Sequence, residues 1–206
     1  MTPTPPLSLA GLRVLLADAG QRRSPVIRLE LIRLRCQLID VLDLAAQPET
    51  LGGALASLAP ELLLVDCDRL TPGLLALLAE AQSQQPRAVL LAASQADVTQ
   101  MRSALQAGVS LLHVTGLQPQ QLGTLLQLTL ARFEHDRTLA LALQQTRTAL
   151  ADRKLVERAR GILMRTHGLD EEAAFQHLRQ LAMDGGQTLA AVATRLIDAD
   201  RLLRAR

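Results

Sequence analysis

Aromatic side chains are nearly absent from this 206-residue chain: Phe133 and Phe175 are the whole set, with no Trp and no Tyr. That argues against a base-stacking platform, which needs exposed rings, and against a sugar-binding cleft. Cysteine is as scarce. Cys36 and Cys67 are too few for a disulfide scaffold or a thiolate zinc site. The four histidines, His113, His135, His167 and His177, form neither HxxH nor HExxH, so no metal centre is expected. No glycine-rich GxGxxG follows the first apolar run, which leaves a dinucleotide-binding fold unsupported. No run of apolar residues is long enough to span a bilayer. The opening MTPTPPLSLAGLR lacks a basic segment followed by a long apolar one, so no signal peptide is expected and the chain reads as cytoplasmic. Lysine is confined to Lys154, against 21 arginines. Arginine is the better residue for bidentate contacts to phosphates and bases.

What is present is aliphatic. The hydrophobic fraction is 49%, enough for a real core. Up to residue 120 the apolar residues fall in short runs, the first broken only by Arg13. These are Leu12 to Ala17 ending at Asp18, Glu61 to Val65 ending at Asp66, Ala88 to Ala93 ending at Ser94, and Val109 to Val114 ending at Thr115. Cys36 to Leu44 is a weaker fifth run. Runs without alternation are the pattern of parallel strands covered on both faces by helices. Helix-like stretches at 24–35, 48–58, 72–84 and 97–106 separate them, and another opens near Pro119. The fold class predicted is therefore α/β, a doubly wound parallel sheet over residues 11–120. Asp18, Asp66, Ser94 and Thr115 would gather at the carboxyl ends of its strands. Two acidic groups there suggest either cation or phosphoryl chemistry, or side chains that only cap turns.

Residues 121–152 continue as one long helix. Leu122, Thr129, Asp136, Leu143 and Leu150 are spaced by seven, and Leu126, Phe133, Ala140 and Arg147 form a second such row. Together they make a coiled-coil-like seam, interrupted at Asp136 and Arg147. Leu126, Phe133, Leu143 and Leu150 are its expected dimer contacts. A plain amphipathic helix packed on its own domain is the competing reading.

Residues 153–206 divide into three short helices and hold the basic excess: ten Lys/Arg against seven Asp/Glu, where residues 1–120 have nine against ten. On the first, Leu155, Val156, Ala159, Ile162 and Leu163 share one arc, and Arg153, Lys154, Arg158, Arg160 and Arg165 the opposite half. Gly161 lies among the basic residues. It either lets a phosphate backbone approach closely or makes room for a neighbouring helix. Gly168 ends this helix, Asp170 caps the next, and Arg179 flanks the apolar face of that second helix. The charge division points to nucleic-acid binding, with Lys154, Arg158, Arg160, Gly161, Arg165 and Arg179 as the candidate surface.

The stretch RKLVERARGILMRTHGLDEEAAFQHLRQLAMDGGQTLAAVATRLI, residues 153–197, resembles the ANTAR domain, an RNA-binding antitermination module of bacterial regulators. Ala159, Gly161, Leu163, Met164, Glu172, Ala173, Arg179, Ala182, Met183, Leu189 and Ala193 carry the likeness. The amino-terminal part resembles a response-regulator receiver in which Asp66 falls at the phosphoacceptor position and Asp18 at one of the paired acidic positions. The other acidic position is Ala19, the lysine of working receivers falls at Thr115, and the proline after it is Gly116. The resemblance implies a pseudo-receiver that is not phosphorylated. Residues 107–139 look most like nitrate/nitrite-assimilation regulators of the NasT type, with amidase-operon regulators of the AmiR type as the rival.

With no acid–base pair or nucleophile arrangement standing out, neither an enzyme nor a cofactor is expected, and the seam predicts a homodimer; the family implies an antiterminator. It would bind paired hairpins in a leader mRNA, and a separate nitrate/nitrite sensor would sequester it. Two other readings stay open on the residues: a phosphorylation-controlled DNA-binding response regulator, and an adaptor with no nucleic-acid role.

Overall fold

The computed structural model describes residues 8–20 and 23–204. The first seven residues of the amino-terminal stretch read above, and the last two of the 153–206 segment, lie outside the described residues. Strands β1 (Arg13–Ala19), β2 (Gln37–Asp43), β3 (Leu62–Arg69), β4 (Ala88–Gln95) and β5 (Leu111–Val114) alternate with helices α1 (Ser24–Arg33), α2 (Thr50–Leu58), α3 (Pro72–Gln84) and α4 (Val98–Gln106). All pairings are parallel, in the order β2-β1-β3-β4-β5. The doubly wound sheet read from the apolar runs is the sheet observed. The weak run after Cys36 is the edge strand β2, only half buried, which is why its apolar signal is diluted. The chain order reverses between β1 and β3, the place where such sheets open a crevice at their carboxyl edge.

Helix starts follow local chemistry. Thr71 accepts from the Leu74 amide just ahead of Pro72, and Asp97 and Gln100 form a reciprocal capping box. Two apolar layers cover the sheet. On one face Leu15, Leu63, Val65 and Leu91 pack with Leu51, Leu78 and Ala104 from α2, α3 and α4. On the other, Val14, Leu16, Leu64 and Leu90 pack with Ile27 and Leu31 of α1 and with Leu122 and Leu126.

The last two belong to α5 (Pro119–His167), which runs unbroken through the boundaries expected at 120/121 and 152/153. A side chain at Gly123 would come within 3.2 Å of the Leu34 methyl, so glycine there permits the approach of α5 to the end of α1. The chain divides into two compact units, one up to Arg137 and one from Thr138 onward. The second contains the end of α5, α6 (Glu171–Asp184) and α7 (Leu189–Arg204), closed around Ala159, Leu163, Leu178 and Ala193.

The expected seam needs correction in its first half. Leu126 is fully buried in the first unit's own core and Phe133 packs against the same cluster. Their spacing of seven serves intramolecular packing, because a helix lying on a sheet also repeats its inner face about every seven residues. Leu143 and Leu150 are exposed.

Candidate nucleic-acid interface and a plugged acidic pocket

Two places gather the chemistry-bearing residues. The first is the carboxyl edge of the sheet. Asp18 and Asp66 stand side by side in the β1–β3 register. Asp66 is fully buried. Arg23, which precedes α1, reaches it with two parallel bonds: Nε donates to Oδ2 at 3.0 Å and Nη2 to Oδ1 at 2.8 Å. This bidentate pairing is the strong form of an Arg–carboxylate contact. The Ser24 hydroxyl donates to Asp18 Oδ2. Ser94, the third strand-end residue, donates to Asp68 instead.

The loop after β5 is shaped around the guanidinium. Gly116 has φ 78°, and a Cβ there would lie 2.5 Å from Arg23 Nη1. Glycine adopts this backbone without strain, and a Cβ there would push on the Arg23 guanidinium. Thr115 holds φ 106°, a strained value for a β-branched residue, while its amide and that of Gly116 both donate to the Ala93 carbonyl at 3.1 Å. Burial pushes the Asp66 carboxyl above its ordinary pKa, and this outweighs the pull of Arg23; Asp18 and Asp68 add to the rise. The neighbouring Cys67 thiol is pushed up to about 12, chiefly by burial, so it is inert as a nucleophile at neutral pH.

This pocket does not fit a divalent cation. Ala19 offers no carboxylate where a second acidic ligand would stand, and both oxygens of Asp66 already accept from Arg23. The sequence reading identified Asp18, Ala19, Asp66 and Thr115 but missed Arg23. An arginine ahead of a helix has no spacing signal that ties it to a strand 43 residues away.

The second place is the carboxyl half of α5. Lys154, Arg158, Gly161 and Arg165 follow one another at intervals of four, three and four, so they form a single ridge. The three charged members are exposed. From Lys154 to Arg165 the ridge is roughly 16 Å long. On the opposite side Ala159, Ile162 and Leu163 are buried, as the apolar arc requires. Of the two roles considered for Gly161, one is excluded among the described residues: the only atom within 4 Å of an added Cβ belongs to the Arg165 side chain, at 3.7 Å, so the glycine does not admit a neighbouring helix. It leaves a notch on the basic ridge.

Arg160 stands off the ridge. Its Nη1 pairs with Glu171 Oε1 of α6 at 2.9 Å, and its side chain is only 29% exposed. Arg153 is likewise engaged, by Glu157 at 2.9 Å. Arg179 is exposed on α6. Asp170 caps α6 through the Ala173 amide, with Glu171 and Glu172 in the first turn where the helix dipole favours them. Met164, Leu181 and Met183 leave apolar surface uncovered in this unit.

Comparison with known proteins bears on both places. Residues 144–197 match the ANTAR domain, beginning nine residues before the boundary expected from the helix wheel. The nitrate regulatory protein of Klebsiella oxytoca is 40% identical over 62 residues, 30% of this chain and 16% of that protein. The transcriptional regulatory protein PdtaR of Mycobacterium tuberculosis is 34% identical over 108 residues, 52% of each chain. The matches thus cover about half, or less, of these relatives' own length.

The first unit has the receiver fold. A CheY-like receiver domain from Methanospirillum hungatei superposes with a TM-score of 0.51 at 18% identity, covering 62% of this chain and 99% of that one. The receiver domain of a modulated diguanylate cyclase from Desulfovibrio desulfuricans gives 0.51 at 16%, covering 61% and 98%. The chain therefore resembles ANTAR-domain response regulators, with a receiver-like sheet followed by an ANTAR-matching segment. No described helix is long and apolar enough to cross a membrane.

Proposed function

We propose that this chain is an RNA-binding transcription antiterminator. It would engage paired hairpins in a leader mRNA and so keep the terminator hairpin from forming. The observation that carries this reading is the solvent-facing ridge Lys154–Arg158–Gly161–Arg165 inside the ANTAR-matching segment. Its cations lack acidic partners among the described residues, and a glycine notch lets a phosphate approach the helix. Arg179 extends the surface. Arg160 instead braces α5 against α6 through Glu171, so its contribution to RNA is indirect.

The molecule would act as a homodimer. Every residue from Glu134 to Ala151 is exposed, including Leu139, Leu141, Leu143 and Leu150. A helical stretch of that length is marginal without packing, and a second copy laid along it would supply the packing. Two copies would present two basic ridges, one for each hairpin, and gain avidity.

Control would come from a partner that sequesters the protein, not from phosphorylation, because Arg23 occupies both acceptor oxygens of Asp66. The Klebsiella relative's name supports nitrate or nitrite as the inducing signal, acting through a separate sensor. The chain would be cytoplasmic, free of cofactor, and not an enzyme.

Hairpin affinity at several salt concentrations tests the surface. Arg158→Ala and Arg165→Ala should each weaken binding and lower the salt slope by about 0.7–1 per lost phosphate contact. Each variant needs a thermal melt beside it. Parental affinity in both folded variants would remove the ridge from the RNA surface.

A further inference from the structure

Arg87 is a buried cation without a buried anion. It stands one residue before β4, and only 6% of it is exposed. One side chain clamps its backbone: Gln82 Oε1 accepts from the Arg87 amide at 3.0 Å, and Gln82 Nε2 donates to the Arg87 carbonyl at 2.9 Å. The guanidinium donates only to neutral groups, the Leu55 and Gln85 carbonyls at 3.3 Å each and Gln85 Oε1 at 3.0 Å. No carboxylate pairs with it among the described residues, and burial lowers its pKa. A buried charge ordinarily has a partner of opposite sign. These bonds use three of the five guanidinium N–H groups and leave one on each terminal nitrogen. Arg87 also lines a pocket of about 330 Å³ at the amino edge of the sheet, the edge away from Asp66. Gly52, Leu55 and Ala56 of α2 form one wall, and Ala81, Gln84 and Gln85 at the end of α3 form another. A Cβ at Gly52 would meet nothing within 4 Å, so that side of the pocket stands open.

We propose that this pocket binds a small organic monocarboxylate, a free acid with a short apolar body. A carboxylate can take one N–H from each terminal nitrogen in the bidentate form and supply the charge that Arg87 lacks. Leu55, Ala56 and Ala81 give the walls an aliphatic lining for the body, and Gln84 and Gln85 add neutral amides. The volume is at the small end of the roughly 300–1,000 Å³ range of ligand pockets. A dianion such as phosphate is selected against. Only one cation is present, and α2 and α3 both end here, where helix dipoles are negative. The pocket lies in the first unit and the basic ridge in the second, so acid binding and RNA binding use separate side chains. Occupancy gives the first unit a chemical input that requires neither RNA nor a sensor.

The test follows amide proton–nitrogen correlation spectra of the full chain during titration with pentanoate and with benzoate. Each acid is compared with its neutral amide, pentanamide or benzamide, and both with inorganic phosphate. At least one acid should shift the Gly52, Leu55 and Arg87 amide resonances saturably. It should bind about tenfold or more tightly than its amide and than phosphate, the factor that a charge-assisted bond supplies. Gly52→Leu fills the pocket and strengthens α2, so it should stay folded and lose the shifts. Arg87→Met should bind acid and amide alike; if it is too unstable to titrate, Gly52→Leu decides alone. Saturable binding of neither acid, equal affinity for acid and amide, or tighter binding of phosphate would overturn the proposal. So would undiminished binding by folded Gly52→Leu. Shifts confined to Lys154, Arg158 and Arg165 would overturn it too, by marking general anion uptake on the basic ridge.

Discussion

Replacing Arg23 with Met removes the cation that pairs with the fully buried Asp66 carboxylate. Breaking a buried ion pair from one side typically costs about 3–5 kcal/mol, because the remaining charge loses its partner. Arg23 is 27% exposed, so part of its interaction is already screened by water. The discounted expectation is about 2–3 kcal/mol in unfolding free energy at pH 7.

The loss has a predictable pH dependence. Asp66 titrates above its ordinary 3.8 in the folded protein, so the folded state holds its proton more tightly than the unfolded state. Its contribution to stability is therefore unfavourable above the folded pKa and is relieved as pH falls through it toward 3.8. Without the pull of Arg23 that folded pKa rises further, and the relief starts at higher pH. The deficit of Arg23→Met relative to the parent should be largest near neutrality and shrink on acidification. Urea titrations at a series of pH values from 7 down to the edge of acid unfolding measure it. The double variant Arg23→Met/Asp66→Leu should recover most of the loss, since removing both charges leaves nothing uncompensated. A deficit constant with pH, or an Arg23→Met protein as stable as its parent, would refute the ion-pair argument.

Three further outcomes follow from the same geometry. Acetyl phosphate with magnesium should leave Asp66 unmodified by intact-mass measurement, and Asp66→Asn should leave hairpin affinity within about twofold, a factor worth roughly 0.4 kcal/mol. Leu143→Glu/Leu150→Glu should lower the sedimentation mass without changing the melt of the first unit, whereas Phe133→Glu should destabilise that unit because its ring packs against the unit's apolar cluster. Arg87 is buried and donates to the Leu55 carbonyl in the last turn of α2 and to the Gln85 carbonyl at the end of α3, where two helix dipoles offset its charge. Arg87→Met should cost about 1–3 kcal/mol in urea unfolding by removing these charge-assisted bonds, although the Leu55 carbonyl keeps its bond from the Ala59 amide, and a neutral result would show that the lost bonds contribute nothing net.

Much of this protein was legible from residues alone, and for local reasons. Parallel strands buried on both faces must be continuously apolar, so LRVLLA, ELLLV and AVLLAA announce themselves, and their ends place Asp18 and Asp66 at one edge. The basic arc opposite Ala159, Ile162 and Leu163 is likewise a one-helix property, set by 3.6 residues per turn. Three things required the tertiary structure. The spacing of seven through Leu126 and Phe133 is equally suited to a partner helix and to the chain's own core, and only their packing with the first unit's apolar cluster separates the two. Arg158 and Arg160 both lie outside the apolar arc, about 200° apart on a helical wheel, and only the fold shows that Arg160 is taken by Glu171 of the next helix. Arg23 meets Asp66 across 43 residues because β1 and β3 are neighbours in a sheet whose order skips β2. Periodicity records which face of an element is apolar. It carries no record of which distant element a polar side chain will meet, because that is decided by the closure of the sheet.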